Sequence, residues 1–133
     1  MDRVFLDANV LFSAAYSKES GLARLWKVRE ATLVTSSHAI EEARRNLEDD
    51  AQKSRLEQLL ETVEIISTWP AGELPDGVKL PDKDAPILLA AVAARATHLL
   101  TGDRRDFGPL LGKSVAGISV QLPAAYLTRK AAA

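Results

Sequence analysis

The chain contains no cysteine among its 133 residues, and this absence limits its chemistry. Without cysteine there can be no disulfide framework, no thiolate zinc site and no cysteine nucleophile. A disulfide-free protein is typical of a reducing compartment, so we expect a cytoplasmic location. The chain also lacks any apolar run approaching the ~20 residues that cross a bilayer. Its first residues, MDRVFLDAN, are acidic and strand-like rather than typical of a signal peptide.

An excess of charge of one sign is missing as well. The 17 basic residues nearly balance the 18 acidic residues, which gives a net charge of −1. A protein that coats nucleic acid through bulk charge is usually much more basic, so contact with nucleic acid would require a local basic patch. With 47% hydrophobic residues, we expect residues 1–133 to form a single globular domain.

Short aliphatic segments alternate with amphipathic ones along the chain. The segments rich in β-branched or aliphatic residues predict five strands, at 3–6, 31–35, 63–66, 97–101 and 117–120. Helical patterns lie between them, at 9–16, 19–29, 36–48, 52–61 and 84–96. This alternation predicts an α/β fold in which helices cover both faces of a mostly parallel, five-stranded sheet. The proline-rich stretch 68–86 is predicted to be a long loop.

Two aspartates follow separate predicted strands. Asp7 interrupts the apolar stretch RVFLDANVLF at the end of the first strand, and Asp103 follows Gly102 after the fourth. Each has an ordinary interpretation, since Asp7 can cap the following helix and Asp103 can be a turn residue. Ligands bind at the carboxyl ends of parallel strands, so the pair together indicates that both carboxylates line one crevice.

A third carboxylate stands at the start of a predicted helix. Pro86 is tolerated only in a first helical turn, so it places the helix start close to Asp84. Asp84 then shares the inner stripe of the helix with Ile87 and Leu88, which directs it toward the same crevice. Asp82 is the competing candidate for the helix cap.

A fourth carboxylate comes from the helix in TSSHAIEEARRNL, residues 35–47. Glu41 and Glu42 flank its apolar face on opposite sides, so helix geometry does not choose between them, and a generic helix carries solvated glutamates of this kind. Four converging carboxylates repel one another unless a cation compensates their charge. Oxygen ligands without cysteine favour Mg²⁺ or Mn²⁺ over zinc.

Four segments of the chain, taken in order, resemble the PIN-domain ribonucleases, and most closely the branch that supplies toxins of toxin–antitoxin pairs. They are FLDANVLFSA, SSHAIEEARRNL, DKDAPILLAAVAARATHLLTGDRRDF and GISVQLPAAYL, and the resemblance runs from about residue 3 to residue 127. The resemblance implies a three-layer α/β/α domain and metal-dependent endonucleolytic cleavage of RNA. It also implies a cognate antitoxin protein as partner, and a homodimer or higher homo-oligomer.

The resemblance also implies roles for individual residues. The implied catalytic and metal-binding acids are Asp7, Glu42, Asp84 and Asp103. Glu42 is preferred to Glu41 because its distances from Ser36 and Leu47 match the family motif. The residues implied to support these acids are Asn9, Thr101 and Asp106. The basic residues that are candidates for contact with RNA phosphates are Lys83, Arg104 and Arg105.

The sequence leaves two alternative functions open. A haloacid-dehalogenase-type phosphatase has an Asp after its first strand, but it needs a second Asp two residues later, where this chain has Asn9. A PIN scaffold that binds protein or RNA without catalysis is the other alternative. If the chain is an enzyme, the absence of cysteine and of a Ser–His–acid pattern makes metal-activated water the expected nucleophile.

Overall fold

A computed structural model describes residues 1–67 and 72–132, which form a six-stranded sheet with helices packed against it. The strands are β1 (Asp2–Leu6), β2 (Ala31–Ser36), β3 (Glu64–Ile66), β4 (His98–Leu100), β5 (Ser114–Val115) and β6 (Ile118–Gln121). The α-helices are α1 (Ala8–Tyr16), α2 (Ser37–Asn46), α3 (Asp50–Leu60), α4 (Ala85–Ala93) and α5 (Pro123–Ala132). Two 3-10 helices cover Gly21–Lys27 and Gly108–Leu110.

The sheet has the strand order β3-β2-β1-β4-β6-β5. Each strand pair is parallel except β5 with β6, so the predicted mostly parallel α/β fold is confirmed. Val4, Phe5 and Leu6 of the central strand β1 are all fully buried. Because successive side chains of a strand point to opposite faces, their burial shows that both faces of the sheet are covered.

The parallel order brings the carboxyl ends of β1, β2 and β4 together at one edge of the sheet, called here the carboxyl edge. The helices α1 and α2 begin there, directly after β1 and β2. The Ser36 side chain starts α2 by accepting a hydrogen bond from the Ala39 backbone N–H at 3.1 Å. The opposite side, where β1 and β2 begin, is called the amino edge.

The sequence predicted five strands, whereas the structure has six. The additional strand is β5, which is two residues long and pairs antiparallel with β6. Between them, Ala116 (φ 51°) and Gly117 (φ 80°) form a tight turn. Left-handed backbone at two consecutive positions is typical of the type I′ hairpin turn. A two-residue strand is too short to show the alternation by which strands are found in a sequence.

One helical prediction was wrong, and one helix was not predicted. Segment 19–29 forms a seven-residue 3-10 helix rather than an α-helix, and it is held by Trp26, whose Nε1 donates to the Leu59 carbonyl at 2.8 Å. No helix was predicted after the last strand, yet α5 covers the C-terminal segment and buries Tyr126. Its short apolar stripe was overlooked because small alanines and polar residues dominate that segment.

The predicted loop 68–86 is described only in part. Residues 68–71 lie outside the described residues, 72–84 contain no helix or strand, and α4 begins at Ala85. Among the helices that the structure describes, none is both long enough and apolar enough to cross a membrane.

Candidate active site

Asp7 directly follows β1 at the carboxyl edge, where it is only 5% exposed. Its Oδ1 accepts a hydrogen bond from the Ala8 backbone N–H at 2.7 Å, at the start of α1. Its Oδ2 accepts hydrogen bonds from Thr101 Oγ1 at 2.8 Å and from Asn9 Nδ2 at 3.3 Å. Asp7 therefore caps α1 with one oxygen, as its ordinary interpretation suggests, and directs the other oxygen toward the end of β4.

Burial raises the pKa of Asp7 above its usual range. The negative charges of Glu42 and Asp103 raise this pKa further, while the hydrogen bonds from Thr101 and Ala8 lower it. The folded chain thus holds a buried carboxyl group close to two other acids. A cation among these groups would favour their ionised forms.

Asn9 and Thr101 connect the ends of β1 and β4. Thr101 is fully buried, and its Oγ1 both donates to Asp7 and accepts from the Asp103 backbone N–H at 3.1 Å. Asn9 Oδ1 accepts from the Gly102 backbone N–H at 2.8 Å. A side chain at Gly102 would crowd this contact, since an added Cβ would lie 3.3 Å from Asn9 Oδ1. These two polar residues therefore hold Asp7 and Asp103 in a fixed relation.

Asp84, Asp103 and Asp106 form a carboxylate cluster, in which one oxygen from each residue lies within 4.8 Å of the others. Asp103 Oδ1 accepts hydrogen bonds from the backbone N–H groups of Arg105 at 3.0 Å and Asp106 at 2.9 Å. The backbone of the GDRRD turn therefore orients the Asp103 carboxylate. Asp103 is thus a turn residue and also a member of the carboxylate cluster.

Asp84 occupies the N-cap position of α4, but its side chain makes no capping hydrogen bond. Its Oδ2 is buried and has no hydrogen-bond partner among residues 1–67 and 72–132. Asp82, the competing cap, is exposed and lies two residues before the N-cap position, so that interpretation was wrong. A buried, unpaired carboxylate oxygen costs free energy, which indicates that this position is built for a ligand such as a cation.

The environment of Asp84 raises its pKa to about 6. Burial is the largest cause, followed by hydrogen bonding with the Asp106 carboxyl group, while the positive charge of Lys83 acts in the opposite direction. Lys83 Nζ lies 3.1 Å from Asp106 Oδ2, and this contact lowers the pKa of Asp106. Within the cluster, Asp84 therefore keeps its proton to a higher pH than an ordinary aspartate, and Asp106 loses its proton at a lower pH.

A cavity of about 430 Å³ at the carboxyl edge, called here the acidic cavity, collects four acids. The acids in its wall are Asp7, Glu42, Asp84 and Asp103. Glu41 lines a separate cavity together with Arg44, Arg45 and Lys53. The structure thus places Glu42 rather than Glu41 beside the three aspartates, a choice that the geometry of α2 alone left open.

The three basic candidates for contact with RNA are placed differently. Lys83 lies in the wall of the acidic cavity, where it pairs with Asp106. Arg104 and Arg105 are exposed on the turn after β4, outside that wall.

Three residues of the cavity wall were not predicted from the sequence, namely Ala8, Phe12 and Asn46. Phe12 lies three residues after Asn9 on α1, and Asn46 lies four residues after Glu42 on α2. The Asn46 side chain donates to the Glu42 backbone carbonyl at 3.0 Å. Helical spacings of three and four residues place side chains on one face, and this was the available signal.

The donor set of this site fits a divalent cation. Every ligand atom that the acids offer is an oxygen, as Mg²⁺ and Mn²⁺ prefer. Asp84 has a buried Oδ2 without a hydrogen-bond partner among the described residues, and one of its carboxylate oxygens lies within 4.8 Å of oxygens of Asp103 and Asp106. The residues that could hold a metal are therefore Asp84, Asp103 and Asp106, with Asp7 and Glu42 nearby.

Solved structures with the same fold include two from toxin–antitoxin systems. One is VapBC2 from Rickettsia felis, in a crystal structure bound to a DNA fragment from its promoter. It has 19% identity and a TM-score of 0.67, and the match covers 90% of this chain and 98% of that one. The other is the Mycobacterium tuberculosis toxin VapC20, described as cleaving the sarcin–ricin loop. It has 14% identity and a TM-score of 0.57, with 80% and 94% covered. At these identities the likeness shows the fold alone.

No curated protein sequence matches the chain. A family model of the PIN domain matches residues 3–105, which is more than half of the chain and spans all four acids of the acidic cavity. The position where a dehalogenase-type phosphatase needs its second aspartate holds Asn9, whose side chain donates to Asp7. Because the PIN-domain model matches more than half of its residues, the chain belongs to the PIN-domain family.

Proposed function

We propose that residues 1–133 form a single nuclease domain that hydrolyses RNA phosphodiester bonds with Mg²⁺ or Mn²⁺. The observation that carries this proposal is the acidic cavity, where four acids meet and the buried Oδ2 of Asp84 has no protein partner among the described residues. The Asp84 side chain makes no capping hydrogen bond, and the mutual repulsion of the four acids destabilises the fold unless a cation compensates their charge.

Asp84 and Asp103 are the central ligands in this proposal, and Asp7 and Glu42, which line the same cavity, complete the site. When bound, a divalent cation would lower the pKa of a water molecule and stabilise negative charge on the scissile phosphate. The protein positions the acids: Thr101 and Asn9 orient Asp7, and the backbone of the GDRRD turn orients Asp103.

Lys83 has a further role in this proposal. It lies in the wall of the acidic cavity and is well exposed, so its ammonium group can contact a phosphate at the mouth of the cavity while it remains paired with Asp106. Arg104 and Arg105 follow Asp103 on an exposed turn and are proposed to contact neighbouring phosphates.

The biological setting is proposed to be a toxin–antitoxin pair. The support is the fold shared with VapBC2 from Rickettsia felis and with VapC20, which is described as a toxin that cleaves the sarcin–ricin loop. A cognate antitoxin and a second copy of this chain are the expected protein partners. Co-expression with the product of a neighbouring gene, followed by size-exclusion chromatography, tests both.

The reaction is tested with a mixed RNA substrate incubated with Mg²⁺ or Mn²⁺, and in parallel with EDTA. Cleavage only with metal, giving 5′-phosphate ends, is expected. Products with 2′,3′-cyclic phosphates would show attack by the RNA 2′-hydroxyl and contradict the mechanism. Metal binding without cleavage would favour the non-catalytic scaffold instead.

A further inference from the structure

A cavity with mostly basic residues in its wall, called here the basic cavity, lies away from the acidic cavity. It measures about 720 Å³ and is lined by the end of the 3-10 helix Gly21–Lys27, the turn before β2, and the end of α5. The basic residues in its wall are Arg24, Lys27, Arg29 and Lys130, and the acidic residue is Glu30. This basic cavity has nearly the reverse charge of the acidic cavity, although the whole chain has a net charge of −1.

The basic cavity is on the amino edge of the sheet. Arg29 and Glu30 directly precede β2, and the Asp2 backbone N–H at the start of β1 donates to the Glu30 carbonyl at 3.1 Å. Asp7 follows the other end of β1, which is five residues long. At about 3.3 Å per residue, the two edges lie about 17 Å apart. The acids and these basic side chains therefore sit at opposite edges of the sheet.

Most of the positive charge in the basic cavity is not neutralised by the protein. Lys130 Nζ pairs with Asp2 Oδ2 at 2.8 Å, and Asp2 also accepts from the Tyr126 hydroxyl. Within residues 1–67 and 72–132, no salt bridge includes Arg24, Lys27 or Arg29. All three of these side chains belong to exposed residues. Their charge is therefore available to a ligand.

A simpler account of these residues is that they complement helix dipoles. Arg24 and Lys27 lie in the last turn of the 3-10 helix, and Lys130 lies in the last turn of α5, where cations stabilise helices. Arg29 lies beyond the helix, so this account does not cover it. The dipole account also predicts an effect on stability alone, which separates it from ligand binding by experiment.

We propose that the basic cavity binds backbone phosphates of the RNA substrate at a distance from the cleavage site. The inference rests on the proposed function, in which RNA is the substrate. Arg24 and Arg29 are two of the three basic residues in this cavity that have no salt bridge among the described residues. The planar guanidinium group of an arginine can donate two parallel hydrogen bonds to the oxygens of one phosphate. Without metal, the acidic cavity repels RNA, so the basic cavity supplies the attraction that the carboxyl edge lacks. It also provides the local basic patch that the balanced composition requires for contact with nucleic acid.

The test uses the full chain in EDTA, which separates RNA binding from cleavage. The double variant Lys27→Gln/Arg29→Gln is compared with wild type and with the control Lys18→Gln/Lys79→Gln, which removes two exposed charges outside both cavities. Fluorescence anisotropy measures the Kd of a long single-stranded RNA at several salt concentrations. Each lost phosphate contact lowers the slope of log Kd against log salt by about 0.7, so we expect a decrease of about 1.4 for the test variant and none for the control.

Two further measurements complete the test. In Mg²⁺, the test variant should raise the KM for long RNA and leave cleavage of a trinucleotide unchanged, because a trinucleotide is too short to reach the amino edge. An excess of polyglutamate should compete weakly with RNA.

Three outcomes would overturn the inference: an unchanged salt slope, a lower melting temperature without loss of RNA affinity, or equal competition by polyglutamate, which would identify an acidic protein segment as the ligand. Failure of wild type to cleave RNA, with the salt slope still dependent on Lys27 and Arg29, would refute the proposed function and support the basic cavity.

Discussion

Replacing Asp84 with Asn should stabilise the metal-free protein at neutral pH, although a buried polar residue is being changed. Asp84 is 9% exposed, and its Oδ2 makes no hydrogen bond within the part of the chain that the structure describes. Asparagine has almost the same shape and no charge, so it removes the cost of ionising this group. The same change removes a proposed metal ligand, so the stabilising effect should reverse when Mg²⁺ is added.

The size of the effect follows from the pKa. A rise from the ordinary value of 3.8 to about 6 corresponds to about 3 kcal/mol at neutral pH. The cavity opens to solvent, and screening by water reduces this figure to about 1–2 kcal/mol. The folded-state pKa is the higher one, so the cost is absent below pH 3.8, grows as the pH rises, and is complete above about pH 6.

The assay is thermal unfolding of wild type and Asp84→Asn in EDTA at pH 4 and pH 7, with Asp82→Asn as the control. Asp82 is exposed two residues away, so its replacement should change little at either pH. At pH 7 the Asp84 variant should melt about 3–8 °C above wild type, and at pH 4 the two should coincide. With Mg²⁺ at pH 7, wild type should gain stability and the variant should gain little.

Lower stability of the Asp84→Asn variant at pH 7 in EDTA would refute this reasoning. It would mean that the Asp84 carboxylate makes a stabilising contact in the folded chain and that repulsion among the acids is unimportant. An equal response of wild type and variant to Mg²⁺ would instead place the metal elsewhere.

Two other substitutions test the site. Glu42→Gln should abolish RNA cleavage and Glu41→Gln should leave it nearly unchanged, because only Glu42 lines the acidic cavity; equal activity of the two variants in a gel-based cleavage assay would contradict this placement. Thr101→Val should destabilise the fold by about 1–3 kcal/mol in denaturant titrations, since it leaves a buried oxygen of Asp7 and the Asp103 N–H short of a partner. It should also weaken Mg²⁺ binding by about 10–100-fold in calorimetry, whereas Thr101→Ser, which keeps the hydroxyl, should behave like wild type.

Local features of the sequence were sufficient to predict most of the fold. The aliphatic segments are separated by helical patterns, and parallel pairing follows from that alternation because each crossover needs a helix. Strand ends were readable where a polar residue interrupts an apolar run, as at Asp7 and Thr101. The start of α4 was readable from Pro86, since proline restricts its position to the first helical turn.

Contacts between distant segments could not be read in this way. Thr101 and Asp7 are 94 positions apart, and only the order β2-β1-β4 places the ends of β1 and β4 side by side. The choice between Glu41 and Glu42 depends on how α2 is rotated against its neighbours, which the two nearly equivalent faces of an isolated helix do not determine.

The charge distribution of the molecule shows most clearly what the sequence alone does not determine. The numbers of acidic and basic residues are set by the sequence, and their near balance made a basic surface difficult to foresee. The structure brings Arg24 and Arg29 together with Lys130, about a hundred residues later, because α5 packs beside the 3-10 helix at the amino edge. The parallel strands meanwhile carry the acids to the carboxyl edge. Composition therefore determined how much charge the chain has, and the strand pattern indicated that the acids share one crevice. Only tertiary packing decided that a basic cavity lies at the opposite edge, because its residues come from distant segments of the chain.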